Sequence, residues 1–565
     1  MSGWEIIGLV AALTAAMIGL GVLNKRRDSK ALREKLQKSF GGVPDKKMSP
    51  ERYACVPGYY RHHRQENQID DITWNDLDLD LVYRRIDAAA SGAGEEFLYW
   101  CLRTPALDAS QEHLREEDLA FAGDPANRAV RVRLQEILTG LGSTGKYSLY
   151  DFLEELDTIP ERGNAGHFAA MLAPLLALGV MVFHVQAGVL LLIAVLVLNM
   201  VTYFRERSRI GGAMDAFRYL LRAMAAGDEI RAVSCSAFAP EKQRLTELSG
   251  SFRTFRRFSG LVMSQGRTSG NPLDIFLDYF RILTHCDLIK FNTMLRQTRL
   301  LRDGIDELET ILGKIDASIA VASYRKSLPV SCAPEHPEPS SLPSAGLLLV
   351  GVVHPLLADP VANDVTLSGP MLLTGSNASG KSTFLRAVSL ALLLGQTIRT
   401  AAADSCRAPY YRIYTSMALR DSIASGESYF MAEIHSLKRI LDAAKRDARA
   451  GVYCCVDEVL RGTNTIERIA ASTELLKALA DMGVLCLAAT HDIELTGLLE
   501  GTYANYHFEE EIVNGDVRFS YRLYTGKAST RNAILLLAAA GFDSDLTKRA
   551  GERAERFETT GRWES

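Results

Sequence analysis

Three short groups of residues in the C-terminal part of the chain have the types and spacing to do chemistry. Gly375, Ser376, Asn377, Ala378, Ser379, Gly380, Lys381, Ser382 and Thr383 read G-x-x-x-x-G-K-[ST], after a short apolar run and before an amphipathic helical pattern. Glycines at these places let successive backbone N–H groups turn inward around phosphate oxygens, and the following helix N-terminus adds partial positive charge. Lys381 supplies a point charge for the β and γ phosphates of ATP, and Ser382 a hydroxyl for Mg2+, a hard cation that prefers oxygen. The second group, Asp457 and Glu458, ends the apolar run 452–456. Asp457 is expected to hold Mg2+ through water, and Glu458 to orient or deprotonate the water that attacks the γ phosphate. The third, Thr490, His491 and Asp492, follows a further apolar run and offers His491 to the γ phosphate or the attacking water. The expected chemistry is Mg2+-dependent phosphoryl transfer to water, with Lys381, Glu458 and His491 as catalytic residues and Ser382 and Asp457 on the metal.

Apolar runs at 347–353, 371–374, 452–456 and 484–488 alternate with helical segments, the pattern of a parallel sheet covered by helices. The strand ends would bring the three groups together. Upstream the chain reads as mostly helix over 80–157 and again over 211–326, where Phe291, Met294, Leu301, Ile305, Leu308, Leu312 and Ile315 recur at helical spacing. Pro329, Pro334, Pro337, Pro339 and Pro343 exclude helix after that, so 327–345 is expected to be a linker and 346–565 an α/β phosphate-loop domain.

Two regions are apolar enough for a bilayer. Residues 4–23 carry only Glu5 and Thr14 as clear exceptions and precede Lys25, Arg26 and Arg27, which reads as an N-terminal anchor over 1–27 rather than a cleaved leader. Residues 166–205 are too long for one span and break near 184–188, which reads as a transmembrane hairpin. Arg162 precedes it and Arg205, Arg207 and Arg209 follow, so the positive-inside rule puts 28–165 and 206–565 in the cytoplasm, beneath the inner membrane if the source is bacterial. The cytoplasmic stretches 28–165 and 206–326 then form a helical core and lever region, with about three membrane helices in all.

Composition sets outer limits. At 565 residues, 47% hydrophobic and 23% charged, a chain of several folded domains is expected and a mainly disordered, collagen-like or coiled-coil protein is excluded. A formal net charge of −4 argues against coating nucleic acid through bulk positive charge. Residues 240–303 are locally basic, with Arg253, Arg256 and Arg257 interleaved with Phe252, Phe255 and Phe258, and are candidates for phosphates of duplex or branched DNA or for anionic lipid. The nine cysteines include no Cys-x-x-Cys pair and read as reduced thiols without a structural zinc.

The phosphate loop, the run Asp457 to Thr465, Thr490 with His491, and the segment Ser425, Glu427, Ser428, Tyr429, Phe430, Met431 and Glu433 together resemble the ATPase domain of the MutS mismatch-repair family. The resemblance covers roughly 346–557, including His354 and Pro355 at its entrance and Gly526 to Ser529 near its end, and is weaker around 71–98 and 308–328. It implies a P-loop NTPase domain of the ABC/MutS-like kind and a homodimer in which two ATPase domains pair head to tail. Ser428 is the position carried over for the contact across that dimer, although Glu427 stands where the family often has a basic residue. The family's lesion-reading Phe and Glu motif is not found; Phe152 and Glu154 have the spacing but lie on a helical face. A C-terminal nuclease domain, found in one branch of the family, is not expected. The expected protein is therefore a membrane-attached, MutS-related ATPase with a mismatch-repair-like motor and DNA binding. The alternatives are an ATP-driven transport or membrane-remodelling motor, or a nucleotide-gated membrane scaffold without DNA.

Overall fold

The computed structural model describes residues 23, 26–145, 147–258, 279–337, 346–376, 379–417, 429–446, 450–461, 463–513, 516–527, 534, 537 and 541–560. The chain divides into two compact units, one of Met1–Arg64, Asp87–Trp100 and Glu117–Ser323, the other of Gln65–Ile86, Cys101–Glu116 and Tyr324–Ser565.

The first unit is helical among its described residues. Its longer helices are α1 (Arg128–Leu141), α2 (Leu149–Thr158), α3 (Ala165–Phe183), α4 (Val185–Arg209), α5 (Gly211–Ala232), α6 (Ala239–Ser251), α7 (Cys286–Leu300) and α8 (Arg302–Ser327), the last within this unit through Ser323. The helical periodicity read from the sequence is the buried face: Phe291, Met294, Ile305, Leu308, Leu312 and Ile315 all lie in one core with Phe217, Leu220 and Met224 of α5. Helix α2 starts on a reciprocal cap in which Ser148 and Asp151 each bond the other's backbone, which fixes where Phe152 enters the core while Glu154 faces solvent.

Helices α3 and α4 form the hairpin expected at 166–205. At 19 and 25 residues both are long and apolar enough to cross a membrane, since about 20 helical residues match a hydrocarbon layer of about 30 Å. Their apolar side chains, among them Leu176, Val182, Phe183, Leu190, Ile193 and Leu198, face outward rather than into a core. Soluble helices bury such a face. The turn is tighter than the expected break: α3 ends at Phe183 and α4 begins at Val185. Gly188 makes this close approach feasible, because a Cβ there would sit 2.3 Å from Met181 Cα. The hairpin base is held by polar contacts, with Asn199 Nδ2 donating to the carbonyls of Ala170 (2.8 Å) and Leu283 (2.9 Å) and Tyr203 Oη donating to Asp287 (2.9 Å). The third span expected, at 1–27, lies outside the described residues except for 23, 26 and 27. Two apolar helices, not three, are therefore established among the described residues.

The second unit is α/β. Strands β1 (Leu347–Val352), β2 (Asn363–Leu367), β3 (Met371–Thr374), β4 (Ser405–Arg407), β5 (Tyr411–Ser416), β6 (Gly451–Asp457), β7 (Leu485–Ala489), β8 (Ala504–Val513) and β9 (Asp516–Thr525) build two sheets. The larger runs β5-β6-β7-β3-β8-β9, parallel except for β9, and the smaller is antiparallel, β2-β1-β4. Helices α9 (Lys381–Ile398), α10 (Tyr429–Ala444) and α11 (Thr465–Asp481) accompany the strands, and α12 (Ser544–Thr560) lies toward the C-terminus. The continuous apolar runs are the central strands β3, β6 and β7, buried on both faces as parallel strands must be.

Two earlier pieces of chain complete this unit. The short helix Asp71–Asp76, from within the 28–165 stretch, packs here. Its buried Asp76 accepts from Thr415 Oγ1 (2.7 Å) and the Met417 N–H (3.0 Å) at the end of β5, while Arg386 of α9 donates to the Asp76 carbonyl (2.9 Å). Part of the proline-rich 327–345 stretch is also fastened, since Cys332 bridges to Ala401 and Glu335 to Arg407.

Candidate functional site

Register brings the three chemical groups to one edge of the sheet. Leu373 on β3 lies opposite Ala489 on β7, and Ala489 lies opposite Asp457 on β6. The Thr490 N–H donates to the Leu373 carbonyl (2.9 Å) and the Glu458 N–H to the Ala489 carbonyl (2.9 Å), so the turns leaving all three strands start at one level. In open α/β sheets this carboxyl-terminal edge is where ligands bind.

The phosphate loop has the backbone that its glycines suggest. Gly375 and Gly380 adopt φ of +142° and +102°, a region costly for residues with a Cβ. A Cβ would also crowd Ser379 Oγ (2.9 Å) at the first position and Tyr521 Cδ1 (3.0 Å) at the second. Gly380 caps α9, whose first residue is Lys381. Lys381 is only 3% exposed, and its Nζ donates to the carbonyls of Gly375 (2.6 Å) and Ser376 (2.7 Å). A buried ammonium at this point of the loop suits phosphate oxygens as alternative partners. Ser379 Oγ donates to the Ser376 carbonyl (2.7 Å), whereas Ser376 Oγ is buried with no partner, a polar atom that a phosphate oxygen could satisfy. Ser382 is half-buried and Thr383 exposed at the start of α9. Asn377 and Ala378 lie outside the described residues.

Asp457 is buried at the end of β6, and Glu458 turns the chain with a φ of +62°. The Glu458 carboxylate meets Arg461 Nε at 2.5 Å and His491 Nδ1 at 3.4 Å. His491 is about half exposed on its loop, and that loop is clamped from behind: Arg468 of α11 donates Nε to Asp492 Oδ2 (2.8 Å) and Nη2 to Oδ1 (2.6 Å). Asn464 caps α11 through the Glu467 N–H (3.0 Å), which sets where Arg468 falls. The sequence reading assigns Glu458 to the attacking water and His491 to that water or the γ phosphate, and their side chains lie 3.4 Å apart. It does not foresee Arg461 as the carboxylate's closest cation, nor the Arg468–Asp492 clamp, whose partners have no local pattern in common.

A cavity of about 340 Å3 opens beside the loop, lined by Val352, His354, Leu357, Phe384, Phe508 and Tyr521 together with Gly380 and Thr383. Its walls are largely apolar and aromatic, with Phe384 edge-on to Phe508 at 5.7 Å. Burial, then the nearby Arg386, pulls the His354 pKa down to about 4, so the ring is neutral near pH 7 and its Nδ1 accepts from the Leu356 N–H (3.3 Å). An apolar slot next to a phosphate loop can hold a flat heterocycle. Tyr521 had a legible signal, because Val517, Phe519, Tyr521 and Leu523 alternate as a strand does.

The remaining expected site residues are dispersed. Ser428 lies outside the described residues, just before α10. Of the basic stretch, Arg256 is ion-paired with Asp228, Lys242 donates to the Val233 carbonyl, Arg299 to the carbonyl of Ile159, and Lys290 to that of Phe255, where burial lowers its pKa to about 8. Phe252 and Phe255 are core residues; Arg253, Arg257 and Phe258 are exposed.

Comparison with known proteins agrees with this geometry. Residues 371–558 match MutS domain V. The chain is 35% identical over 193 residues to the DNA mismatch repair protein MutS 2 of Haloarcula marismortui, covering 33% of this chain and 20% of that protein. It is 32% identical over 202 residues to the DNA mismatch repair protein MutS of Thermus aquaticus, covering 35% and 24%, and 32% identical over 192 residues to that of Thermus thermophilus, covering 34% and 23%. The chain therefore spans about a fifth to a quarter of the length of these curated relatives. The matched domain is of P-loop type and follows a helical region. Over residues 371–558 this chain is similar to domain V of MutS proteins.

Proposed function

We propose that the protein is a membrane-held ATPase that uses nucleotide binding and hydrolysis to move its helical region. The observation that carries this reading is the common register of Leu373, Ala489 and Asp457, from which the phosphate loop, the acid pair and His491 all depart. ATP would place its base in the cavity beside Phe508 and Tyr521 and its phosphates against the backbone of 375–380 and Lys381. The two tight glycines, the buried lysine and the orphaned Ser376 hydroxyl fit such an occupant. Ser382 and Asp457 are oxygen donors suited to Mg2+, which when bound neutralises phosphate charge.

Glu458 accepts a proton from water as the water oxygen bonds to the γ phosphorus and the bond from that phosphorus to the bridging oxygen breaks, leaving ADP and phosphate. His491 lies close enough to Glu458 to orient the carboxylate or bond the same water. Arg461 neutralises Glu458 in the arrangement seen here, so turnover requires the carboxylate to loosen that pair. A second copy would supply Ser428 across a domain V dimer.

Helices α3 and α4, with the 1–27 segment, would hold the protein in a membrane with its ATPase domain in the cytoplasm. The relatives' role in mismatch repair makes DNA a candidate ligand, through Arg253, Arg257 and neighbouring exposed cations. The internal engagement of Arg256, Lys242, Lys290 and Arg299 favours a second reading, a motor or nucleotide-gated scaffold that acts on a membrane partner without DNA. ATP hydrolysis by the detergent-purified chain separates them when measured with duplex, mismatched and branched DNA at two salt concentrations. Salt-sensitive stimulation by one DNA form supports the first reading. Hydrolysis indifferent to all DNA supports a motor acting on a membrane partner, and ATP binding without hydrolysis under any condition overturns the ATPase reading and leaves the nucleotide-gated scaffold.

A further inference from the structure

We propose that Glu433 is a positioning residue for Glu458, bracing the strained turn at 458–461 and tying it to α10. The role in turnover rests on the ATPase reading above; the brace itself does not.

Glu458 and Leu460 both hold left-handed backbone, with φ of +62° and +58°. For non-glycine residues each such conformation is disfavoured by contacts of the Cβ, and it persists only where neighbours impose it. The direction of the Glu458 carboxylate depends on this turn. Ties to β6 and β7 hold its first half: the Glu458 N–H donates to Ala489, and Arg461 Nη2 reaches the Asp457 carbonyl at 3.4 Å. The second half is met from α10. Glu433, 4% exposed, accepts the Leu460 N–H on Oε1, and the N–H groups of Leu460 and Arg461 favour its charged form against burial, which pushes its pKa upward.

Stability alone does not account for an acid here. Glu433 Oε2 is buried without a hydrogen-bond partner, and a half-satisfied buried carboxylate is a net cost that an apolar side chain would avoid. Its negative charge also faces Glu458, a repulsion that the nearby Arg461 cation offsets. What the carboxylate provides is a fixed acceptor for the Leu460 amide. Glu433 sits one helical turn into α10, which begins at Tyr429 directly after Ser428. A shift of the helix start therefore reaches the Leu460 amide over about 6 Å of rigid helix. The brace makes the aim of Glu458 dependent on where α10 stands.

The test uses the full-length protein in detergent and two variants, Glu433→Ala, which removes the acceptor, and Glu433→Gln, which keeps an acceptor oxygen. Without nucleotide, the Leu460 amide should exchange with deuterium roughly tenfold faster in Glu433→Ala, and near the wild-type rate in Glu433→Gln. With Mg-ATP, Glu433→Ala should lower kcat roughly tenfold or more, while its affinity for a fluorescent ATP analogue stays within about twofold and Glu433→Gln restores most of kcat. Unchanged Leu460 exchange in Glu433→Ala overturns the brace. Wild-type kcat in Glu433→Ala, loss of kcat and analogue affinity in step, or a Glu433→Gln as slow as Glu433→Ala overturns the positioning role. Wild-type protein that binds the analogue without turnover overturns the ATPase reading and the positioning role with it, while the exchange result still judges the brace.

Discussion

Replacing Arg468 by Met should loosen the loop that carries His491, and the structure sets the size of the effect. Arg468 makes two charge-assisted bonds to Asp492, at 2.8 and 2.6 Å, and both side chains are largely buried. Each such bond contributes about 1.5–3 kcal/mol, but the two share one guanidinium and are not additive. The variant leaves a buried carboxylate whose remaining neighbour, His491 Nε2, is 3.9 Å away and exposed. Breaking a buried pair costs about 3–5 kcal/mol, and the partial exposure of Arg468 puts this one near the lower end, about 3 kcal/mol. At about 2–4 °C per kcal/mol for a unit of this size, the α/β transition should fall by roughly 6–12 °C in thermal unfolding. Arg468→Met combined with Asp492→Leu removes the stranded charge and should recover most of that loss. A single variant within about 2 °C of wild type, or a double variant as unstable as the single, would refute the clamp.

Other consequences are as direct. Burial pushes the Glu96 pKa up to about 8 and the Glu309 pKa up to about 7 in the helical unit, so the folded state holds protons that the unfolded chain has released. Their contribution is complete below the ordinary carboxylate range and is lost as pH rises from about 4.5 toward 8, so denaturant midpoints should fall over that window, with a shallower fall in Glu96→Gln. Gly380→Ala meets both a φ of +102° and Tyr521 Cδ1 at 3.0 Å, and should weaken binding of a fluorescent ATP analogue roughly tenfold or more. Analogue titration checks this, and unchanged affinity would separate the loop's shape from nucleotide binding. For the membrane arrangement, reporters inserted after Arg27 and at 184–188 should report opposite sides.

What the sequence made legible follows from where each element lies. Strands β3, β6 and β7 are central, so they read as unbroken apolar runs that end at the chemical residues. The β8–β9 hairpin lies toward one edge and carries Glu509, Glu510 and Glu511, so no apolar run announced it. Asp76 is a buried acceptor for Thr415, 339 residues away, and no local pattern encodes such a bond. The basic run at 240–303 looked like a surface patch because spacing cannot tell a solvent-facing cation from one that donates to a carbonyl, as Lys290 does to Phe255. Glu433 was visible as part of a motif, but the strain it braces exists only in the backbone angles of Glu458 and Leu460.

The central claim is that Glu458 activates water at a nucleotide held by the 375–383 loop. The most direct test compares wild-type protein with Glu458→Gln, measuring affinity for a fluorescent ATP analogue and steady-state ATP turnover in the same preparation. The account predicts near wild-type affinity with kcat lowered by about a hundredfold or more. Turnover equal to wild type would contradict it.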